Sequence, residues 1–229
     1  MTNVCITIDT EGDAASDSNT TFFGIKILVP LLLKLFKKHK VKATFFIQED
    51  YICQIATKFP GLVQEIEIQG HEVGLHSHGL IRASIGEKEN IVRYGVDSLR
   101  EKNFNPVSYR AGRYHFNKDV LRILENNGIK FDSSVEPGRR QLFSDGVERC
   151  NHIDSPSKPY FPSYKDHRKK GNSKLLELPI NRYSSLPSES GGVITGNYTN
   201  EEVLFDYFRE SRNDELIIIN VHPWDGFNL

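Results

Sequence analysis

Two histidines, His76 and His78, lie two residues apart in the segment GHEVGLHSHGL, residues 70–80 of a 229-residue chain. In an extended strand alternate side chains point to the same side, so the two imidazoles could converge on one metal ion. If the chain turned into a helix directly after His76, His78 would point away and only one imidazole would remain. The spacing alone leaves both possibilities open, and such a pair is by itself a weak sign of a metal site.

Three further segments carry residue types that could complete a metal site. Asp9 and Glu11 follow the apolar run NVCITI, Arg110 follows the run VSY, and His222 follows the run LIIINV. Together with the two histidines, Glu11 would give a cation two nitrogen ligands and one oxygen ligand. Such a set lowers the pKa of a water molecule and polarises a carbonyl group, provided that one coordination position stays open.

The other residues of this group suit the proton transfers of a hydrolysis. Asp9 could accept a proton from water, and His222 could protonate the departing group. Arg110 could orient the Asp9 carboxylate through a bidentate fork of hydrogen bonds and keep it ionised. Each residue also has a purely structural interpretation, since acidic residues often end strands and Pro223 could simply end the last one. Their joint occurrence after four different strands favours the catalytic interpretation.

Seven short runs rich in β-branched and aromatic residues predict seven strands that would hold these residues. The runs are NVCITID, KATFFIQ, HEVGLH, VSYRA, IKFDSS, LLELPIN and LIIINVH. Helical patterns lie between several of them, at 24–40, 87–103, 118–128 and 199–213, which implies parallel strands joined by right-handed crossovers. Seven units predict either a barrel of the TIM type with one unit fewer than usual or an open doubly wound sheet. We favour the barrel because its loops bring polar residues that follow strands onto one face.

The whole chain, residues 1–229, is expected to form one domain. Lys and Arg number 29 against 30 Asp and Glu, so a formal net charge of -1 gives no overall attraction to nucleic acid. No run approaches the roughly 20 apolar residues of a membrane span, and the start lacks a signal-peptide pattern, so we expect a cytoplasmic protein. The three cysteines show no CxxC spacing and indicate neither a disulfide framework nor a cysteine zinc site. The oligomeric state is left open by the sequence.

The stretch 135–174 is a long segment rich in Pro, Gly, Ser and charged residues. A loop of this length in a compact domain is usually functional or mobile, so we expect it to border the active site. Three of the remaining histidines, His115, His152 and His167, are expected at the surface or in loops.

The order of these motifs resembles that of a known enzyme family. TIDTEGD, GHEVGLHSH, YRAGRY, LLELPIN and NVHPWD resemble the five motifs of the polysaccharide deacetylases, carbohydrate esterase family 4 of the NodB type. The segment PYFPSYKDHRKKGNSKLLELP is similar to one found in a bacterial branch associated with surface polysaccharides. The resemblance covers nearly the whole chain. It implies an α/β fold made of a single (β/α)7 barrel, a distorted TIM-like barrel, and metal-dependent removal of N- or O-acetyl groups from sugars.

The resemblance also implies roles for individual residues. Asp9 matches the catalytic base of the family, Arg110 matches the arginine that orients the base, and His222 matches the general acid. Tyr114 and Trp224 would bind the substrate, and Trp224 would help to form the wall of the acetyl pocket.

The resemblance breaks at one metal ligand. The family usually places its second metal histidine four residues after the first, and in this chain that position is Leu80. We favour His78 as the replacement, because Gly79 allows the chain to turn and a site with one histidine would be weak. The expected metal ligands are then Glu11, His76 and His78. Zinc is the expected ion, with cobalt, manganese or iron as alternatives.

These observations predict a metal-dependent hydrolase of carbon–nitrogen bonds other than peptide bonds. Its partner would be an acetylated carbohydrate, either an amino sugar or a polysaccharide or its precursor. One alternative keeps the barrel and the metal but replaces the sugar with another amide, such as a cyclic ureide, because fold and motif determine the chemistry better than the substrate. A second alternative is a catalytically silent barrel that binds carbohydrate, which the leucine at position 80 would explain.

Overall fold

The computed structural model of the protein describes residues 3–13, 21–180 and 216–223. Two features of the sequence analysis, the helix predicted over 199–213 and the side chain of Trp224, lie outside these residues.

Seven parallel strands form one sheet, and each of them falls within one of the seven predicted runs or extends it by one residue. In chain order they are β1 (Asn3–Thr10), β2 (Ala43–Gln48), β3 (Glu72–Ser77), β4 (Ser108–Ala111), β5 (Phe131–Asp132), β8 (Leu176–Glu177) and β9 (Leu216–Val221). Between β5 and β8 the chain forms a separate antiparallel hairpin, which consists of β6 (Arg140–Leu142) and β7 (Glu148–Asn151).

The strand order distinguishes a barrel from a doubly wound sheet. From β1 to β8 the parallel strands lie side by side in chain order, and the last strand, β9, pairs with β1. A doubly wound sheet reverses its order at a switch point, whereas a barrel places its last strand beside its first. Within the described ranges β8 and β9 do not pair, so the sheet is a half-barrel. The predicted distorted α/β barrel is confirmed.

Five α-helices are found in the described part of the chain: α1 (Phe23–His39), α2 (Ile55–Lys58), α3 (Pro60–Ile68), α4 (Ile85–Glu101) and α5 (Lys118–Asn126). The first, fourth and fifth match predicted helical patterns. The sequence does not predict α2 and α3, because Pro60 and Gly61 interrupt the pattern. Pro60 instead begins α3, where its missing N–H costs no helical hydrogen bond. Over the same residues, none of the helices is both long and apolar enough to cross a membrane.

The two faces of the sheet differ in polarity. Ile8 of β1 belongs to the same buried apolar cluster as Val29 of α1. Thr7 and Asp9 lie on the opposite face of β1, and both contact Arg110 of β4. The apolar face therefore packs against the helices, and the polar face lines the inside of the half-barrel.

The insertion between β5 and β8 buries histidines of its own. His152 and His167 of this insertion are 0% and 8% exposed, and His115, in the loop after β4, is 7% exposed. All three lie in loops, as expected, but none of them is at the surface. The His167 Nε2 atom lies 3.2 Å from the carbonyl oxygen of Asn151, and the Glu136 N–H donates to His152 Nδ1 at 3.0 Å. These imidazoles therefore serve as hydrogen-bond partners for buried backbone groups of the insertion.

Candidate metal centre

The two carboxylates of the site come from a tight turn directly after β1. The Glu11 N–H donates to the Asp9 carbonyl oxygen at 3.0 Å, which turns the chain at the carboxyl end of the strand. Asp13 then accepts the N–H groups of Phe23 at 2.7 Å and Gly24 at 2.9 Å, at the start of α1. A carboxylate is favourable there because the first N–H groups of a helix lack partners within the helix. The strand end and the start of α1 therefore fix this turn from both sides.

The two histidines come from the end of β3. His76 lies in the strand, and His78 follows directly after its last residue. Gly79 has a φ of +80°, a conformation that glycine adopts readily, and it turns the chain after His78. The backbone of His78 is fixed by Asp50, whose Oδ2 atom accepts its N–H at 2.8 Å. The other oxygen of Asp50 accepts the N–H of Ile52 at 2.9 Å.

Three buried atoms that could ligate a metal converge at one point. The Nε2 atoms of His76 and His78 lie 3.1 Å apart, and Glu11 Oε2 lies 3.3 Å from the first and 2.6 Å from the second. Ligand atoms at about 2.0–2.1 Å from a tetrahedral zinc ion are about 3.4 Å from one another. Two of the three separations are close to that value, and the third is a hydrogen bond that would lengthen around an ion. The donor set of two imidazoles and one carboxylate therefore fits a divalent cation.

The charges of the cluster also suit a cation. Burial alone would raise the pKa of the Glu11 carboxyl, but the hydrogen bonds from His76 and His78 and their charges lower it below its usual range. Burial would lower the pKa of His76, but the Glu11 carboxylate and the negative charge of Asp9 raise it overall. Glu11 therefore remains an ionised oxygen ligand.

Leu80, at the position where the family usually has its second metal histidine, does not belong to this cluster. Its side chain is 1% exposed and packs in the apolar core. The ring of His78 instead packs against Gly112, where an added Cβ would lie 2.5 Å from the imidazole. The structure thus brings His78, and not residue 80, next to Glu11 and His76.

Asp9 lies beside the metal cluster and contacts Arg110. The fully buried guanidinium has its Nε atom 3.4 Å from Asp9 Oδ1, and its NH2 group donates to Thr7 Oγ1 at 3.0 Å and Ser133 Oγ at 3.1 Å. The predicted bidentate fork to Asp9 is therefore wrong. The guanidinium also lies 4.9 Å from the ring centre of Phe46, and its donors are divided between the Asp9 carboxylate, the Thr7 hydroxyl on β1 and the Ser133 hydroxyl directly after β5.

His222 and Asn220 approach Asp9 from the last strand. His222 Nε2 lies 3.8 Å from both Asp9 Oδ2 and Glu11 Oε1, and its side chain is 22% exposed. Two residues earlier, and therefore on the same side of the strand, Asn220 is fully buried. Its Nδ2 group donates to Asp9 Oδ2 at 3.1 Å and to the Tyr114 hydroxyl oxygen at 3.2 Å. Asn220 thus holds the second oxygen of the Asp9 carboxylate.

Tyr114 ends a short 3-10 turn, Gly112–Tyr114, that follows β4 directly. Burial, and then the negative charge of Asp9, raise the pKa of its hydroxyl to about 12. The hydroxyl therefore keeps its proton at neutral pH and can serve as a neutral hydrogen-bonding group beside Asp9. Of the two predicted substrate-binding residues, Tyr114 lies at the site, and Trp224 is not among the described residues.

The sequence analysis missed two residues that position the site. Asn220 interrupts an otherwise apolar strand two residues before His222, and a polar side chain in such a strand requires a partner. That pattern could have identified it. Asp50 gave a weaker signal, because it is one of two adjacent acidic residues after β2 and its partner, His78, lies 28 residues later.

Comparison with known proteins gives one family match. Residues 23–131 match the family model described as polysaccharide deacetylase. Among curated proteins, a peptidoglycan deacetylase from Helicobacter pylori (strain ATCC 700392 / 26695) is 27% identical over 127 residues, which is 54% of this chain and 42% of the relative. The chain therefore matches less than half of the length of this curated relative.

Two solved structures share the fold over almost the whole chain. A Mycobacterium smegmatis protein described as a polysaccharide deacetylase is 21% identical, covers 97% of this chain and 77% of its own, and superposes with a TM-score of 0.68. An allantoinase is 14% identical, covers 97% of this chain and 78% of its own, and has a TM-score of 0.66. At these identities the similarity concerns the fold.

Proposed function

Since residues 23–131 match the polysaccharide deacetylase family model, we propose that the protein hydrolyses the acetyl group of an N-acetylated sugar with the help of a divalent cation. The observation that carries this proposal is the convergence of Glu11, His76 and His78 beside Asp9 and His222. These residues come from the carboxyl ends of three parallel strands, where the loops of a barrel usually carry the chemistry.

Glu11, His76 and His78 would hold the cation, and zinc is the ion that suits two imidazoles and one carboxylate best. Cobalt, manganese and iron accept the same donors. When bound, the cation acts as a Lewis acid that polarises the acetyl carbonyl and makes a water molecule easier to deprotonate.

The proton transfers belong to Asp9 and His222. Asp9 takes a proton from the water whose oxygen forms a bond to the acetyl carbon. Arg110 and Asn220 hold one carboxylate oxygen each, which fixes the direction from which Asp9 can accept that proton. The bond between the acetyl carbon and nitrogen then breaks, and His222 gives a proton to the leaving nitrogen. The products are acetate and a free amino sugar.

The test measures acetate release from N-acetylglucosamine oligomers by the protein loaded with zinc and by the protein after chelation. We expect release only with the metal, and a loss of roughly 10²–10⁴ in kcat for Asp9→Asn, the usual range for a general base. Asp97→Asn makes the same change of carboxylate to amide on the exposed side of α4 and is the matched control.

Two results would reject this function. A zinc-loaded protein that releases no acetate from any N- or O-acetylated sugar, but still binds the oligomer, would support a silent carbohydrate-binding barrel. A protein that opens a cyclic ureide and leaves the sugars intact would support the alternative amide substrate.

A further inference from the structure

Three arginines from different segments gather at one edge of the site, and we call Arg113, Arg139 and Arg149 the arginine cluster. Arg113 is the central residue of the turn after β4, Arg139 directly precedes β6, and Arg149 lies on β7. His115 Nδ1 lies 2.7 Å from the carbonyl oxygen of Arg149, which holds β7 against this turn. The guanidinium carbon of Arg139 lies 5.0 Å from the ring centre of Tyr114.

The cluster adjoins the residues proposed for catalysis. The Tyr114 hydroxyl, below the stacked guanidinium, accepts a hydrogen bond from Asn220, and Asn220 also donates to Asp9. At the other end of the turn, Gly112 packs against the ring of His78. Arg113, the exposed arginine of the cluster, lies between these two residues in the chain, so the turn that carries it contacts both Asn220 and His78.

Among the described residues, carboxylates pair with only part of the charge of the cluster. Glu136 pairs with one member, Arg139, and the nearby Glu148 pairs with Arg140 instead. Arg113 and Arg149 have no carboxylate within salt-bridge distance anywhere in the described ranges. Two positive charges of the cluster therefore lack a carboxylate partner within residues 3–13, 21–180 and 216–223.

Partial burial makes these charges costly to bring together. Burial lowers the pKa of Arg149, and the positive charges of Arg113 and Arg139 lower it further. The Nε atoms of Arg139 and Arg149 are buried without a hydrogen-bond partner among the described residues. The Arg149 guanidinium stacks 4.5 Å from the ring centre of Phe143, which fixes its position. An anion placed among these groups would relieve the repulsion and satisfy the open donors.

The backbone of the turn is strained in the way expected of a functional site. Arg113 and Tyr114 have φ values of +56° and +58°, in the left-handed region that non-glycine residues seldom occupy. Two consecutive residues in this region persist only where the surrounding structure holds them. The strain directs one side chain into solvent and the other against Asn220.

We infer that the arginine cluster binds an anionic group of the substrate, a phosphate or a carboxylate, close to the acetyl group that is removed. This inference rests on the proposed function and deepens it, because it makes the substrate an acetylated sugar with a negative charge near the reacting amide. Guanidinium groups recognise phosphate and carboxylate alike through paired hydrogen bonds, so the two sources share one chemistry.

The experiment compares kcat/KM for three substrates of the zinc-loaded protein. They are methyl N-acetylglucosaminide, which is neutral, N-acetylglucosamine 1-phosphate, and N-acetylglucosamine linked to glucuronic acid. The variants are Arg149→Gln and Arg113→Gln. Arg100→Gln, in the last turn of α4 and therefore at the opposite end of the barrel, removes the same charge and is the matched control.

We expect the parent to prefer at least one anionic substrate over the neutral one by tenfold or more at low salt. High salt should reduce this preference by screening. In Arg149→Gln and Arg113→Gln the ratio of anionic to neutral kcat/KM should fall roughly tenfold to a hundredfold, the range for a lost charged hydrogen bond. Arg100→Gln should keep the ratio of the parent. The phosphate and uronate arms show which anion the cluster prefers.

The inference is overturned if the parent uses the neutral substrate as well as both anionic ones, or if the two variants lower all three rates equally. If no substrate releases acetate, the proposed function fails, and calorimetric binding of N-acetylglucosamine 1-phosphate tests the cluster by itself. Binding that is lost in Arg149→Gln would then support the cluster, and absence of binding to the parent would reject it. Arg113→Gln changes an exposed side chain, so it provides a folded variant if Arg149→Gln does not fold.

Discussion

The substitution His78→Ala should remove most of the metal affinity of the protein, because the His78 imidazole lies close to both other proposed ligands. Its Nε2 atom lies 3.1 Å from that of His76 and 2.6 Å from Glu11 Oε2. Leu80 cannot substitute for it, since its side chain is 1% exposed and packs in the apolar core.

The expected magnitude follows from the number of ligands. A zinc site with four protein ligands binds with about 10–16 kcal/mol, or about 3–4 kcal/mol per ligand. Removal of one ligand should therefore weaken zinc binding roughly 10²–10³-fold, since 1.4 kcal/mol corresponds to a factor of ten. Leu80→His in the same chain should not restore affinity. It would place an imidazole in the apolar core and lower the free energy of unfolding by about 2–4 kcal/mol.

Zinc titration calorimetry on the metal-free protein measures the affinities, and thermal unfolding followed by circular dichroism reports the stability. His39→Ala is the matched control, because His39 is an exposed histidine in the last turn of α1 and should bind zinc as the parent does. Two results would refute the reasoning: His78→Ala with the zinc affinity of the parent, or recovery of affinity when Leu80→His is added.

Three other predictions concern the surroundings of this site. His222→Ala should keep zinc but lose roughly 10²–10⁴ in kcat on an amide, and less on an ester with a good leaving group, which needs little protonation. Equal losses in kinetic assays of both substrates would contradict its role as an acid. Asp50→Asn should weaken zinc binding roughly tenfold in the same calorimetry, since the amide can accept with only one oxygen and the His78 N–H loses its partner. An unchanged affinity would show that this hydrogen bond does not position the ligand. The free energy of unfolding of the parent should fall as pH rises above about 5, and Glu177→Gln should remove this fall. Denaturant unfolding at several pH values measures both. Burial and the nearby Asp132 raise the pKa of Glu177 in the folded protein, so the parent should lose up to about 1.4 kcal/mol per pH unit. If the free energy of unfolding of the parent and of Glu177→Gln depended on pH in the same way, this prediction would be contradicted.

The sequence predicted the strands because their signal is local. Runs such as KATFFIQ and LIIINVH combine apolar and β-branched residues between turn residues, and each forms a strand of the sheet. The carboxyl ends of these strands then determine which polar residues can meet, which is why Glu11 and His76 could be paired although 65 residues separate them. The α2–α3 pair escaped prediction because Pro60 can either end a helix or begin one, and only tertiary packing decides between the two.

The details of the site could not be predicted because they depend on long-range contacts. Arg110 divides its donors among Asp9, Thr7 and Ser133, and the sequence cannot show that the two hydroxyls lie within its reach. His152 is buried and contacts Glu136 and His167, although its segment has the composition of an exposed loop. In each case the local sequence identifies the residue, but a distant segment of the chain determines its environment.

Two buried carboxyls on β5 and β8 affect whether Arg110 is available to hold the proposed base, Asp9. Asp132 on β5 and Glu177 on β8 are neighbours across the sheet and fully or almost fully buried. Burial raises the pKa of both carboxyls, and for Glu177 the negative charge of Asp132 raises it further, so the pair keeps a shared proton to a higher pH than an isolated carboxyl would. The Glu177 Oε1 atom also accepts the N–H of Val135 at 3.0 Å. The other oxygen of Glu177 can therefore share a proton with Asp132. If both carboxyls were ionised, two negative charges would compete with Asp9 for a single guanidinium. The shared proton removes one of them, so Arg110 remains available to hold Asp9 on the opposite side of the half-barrel.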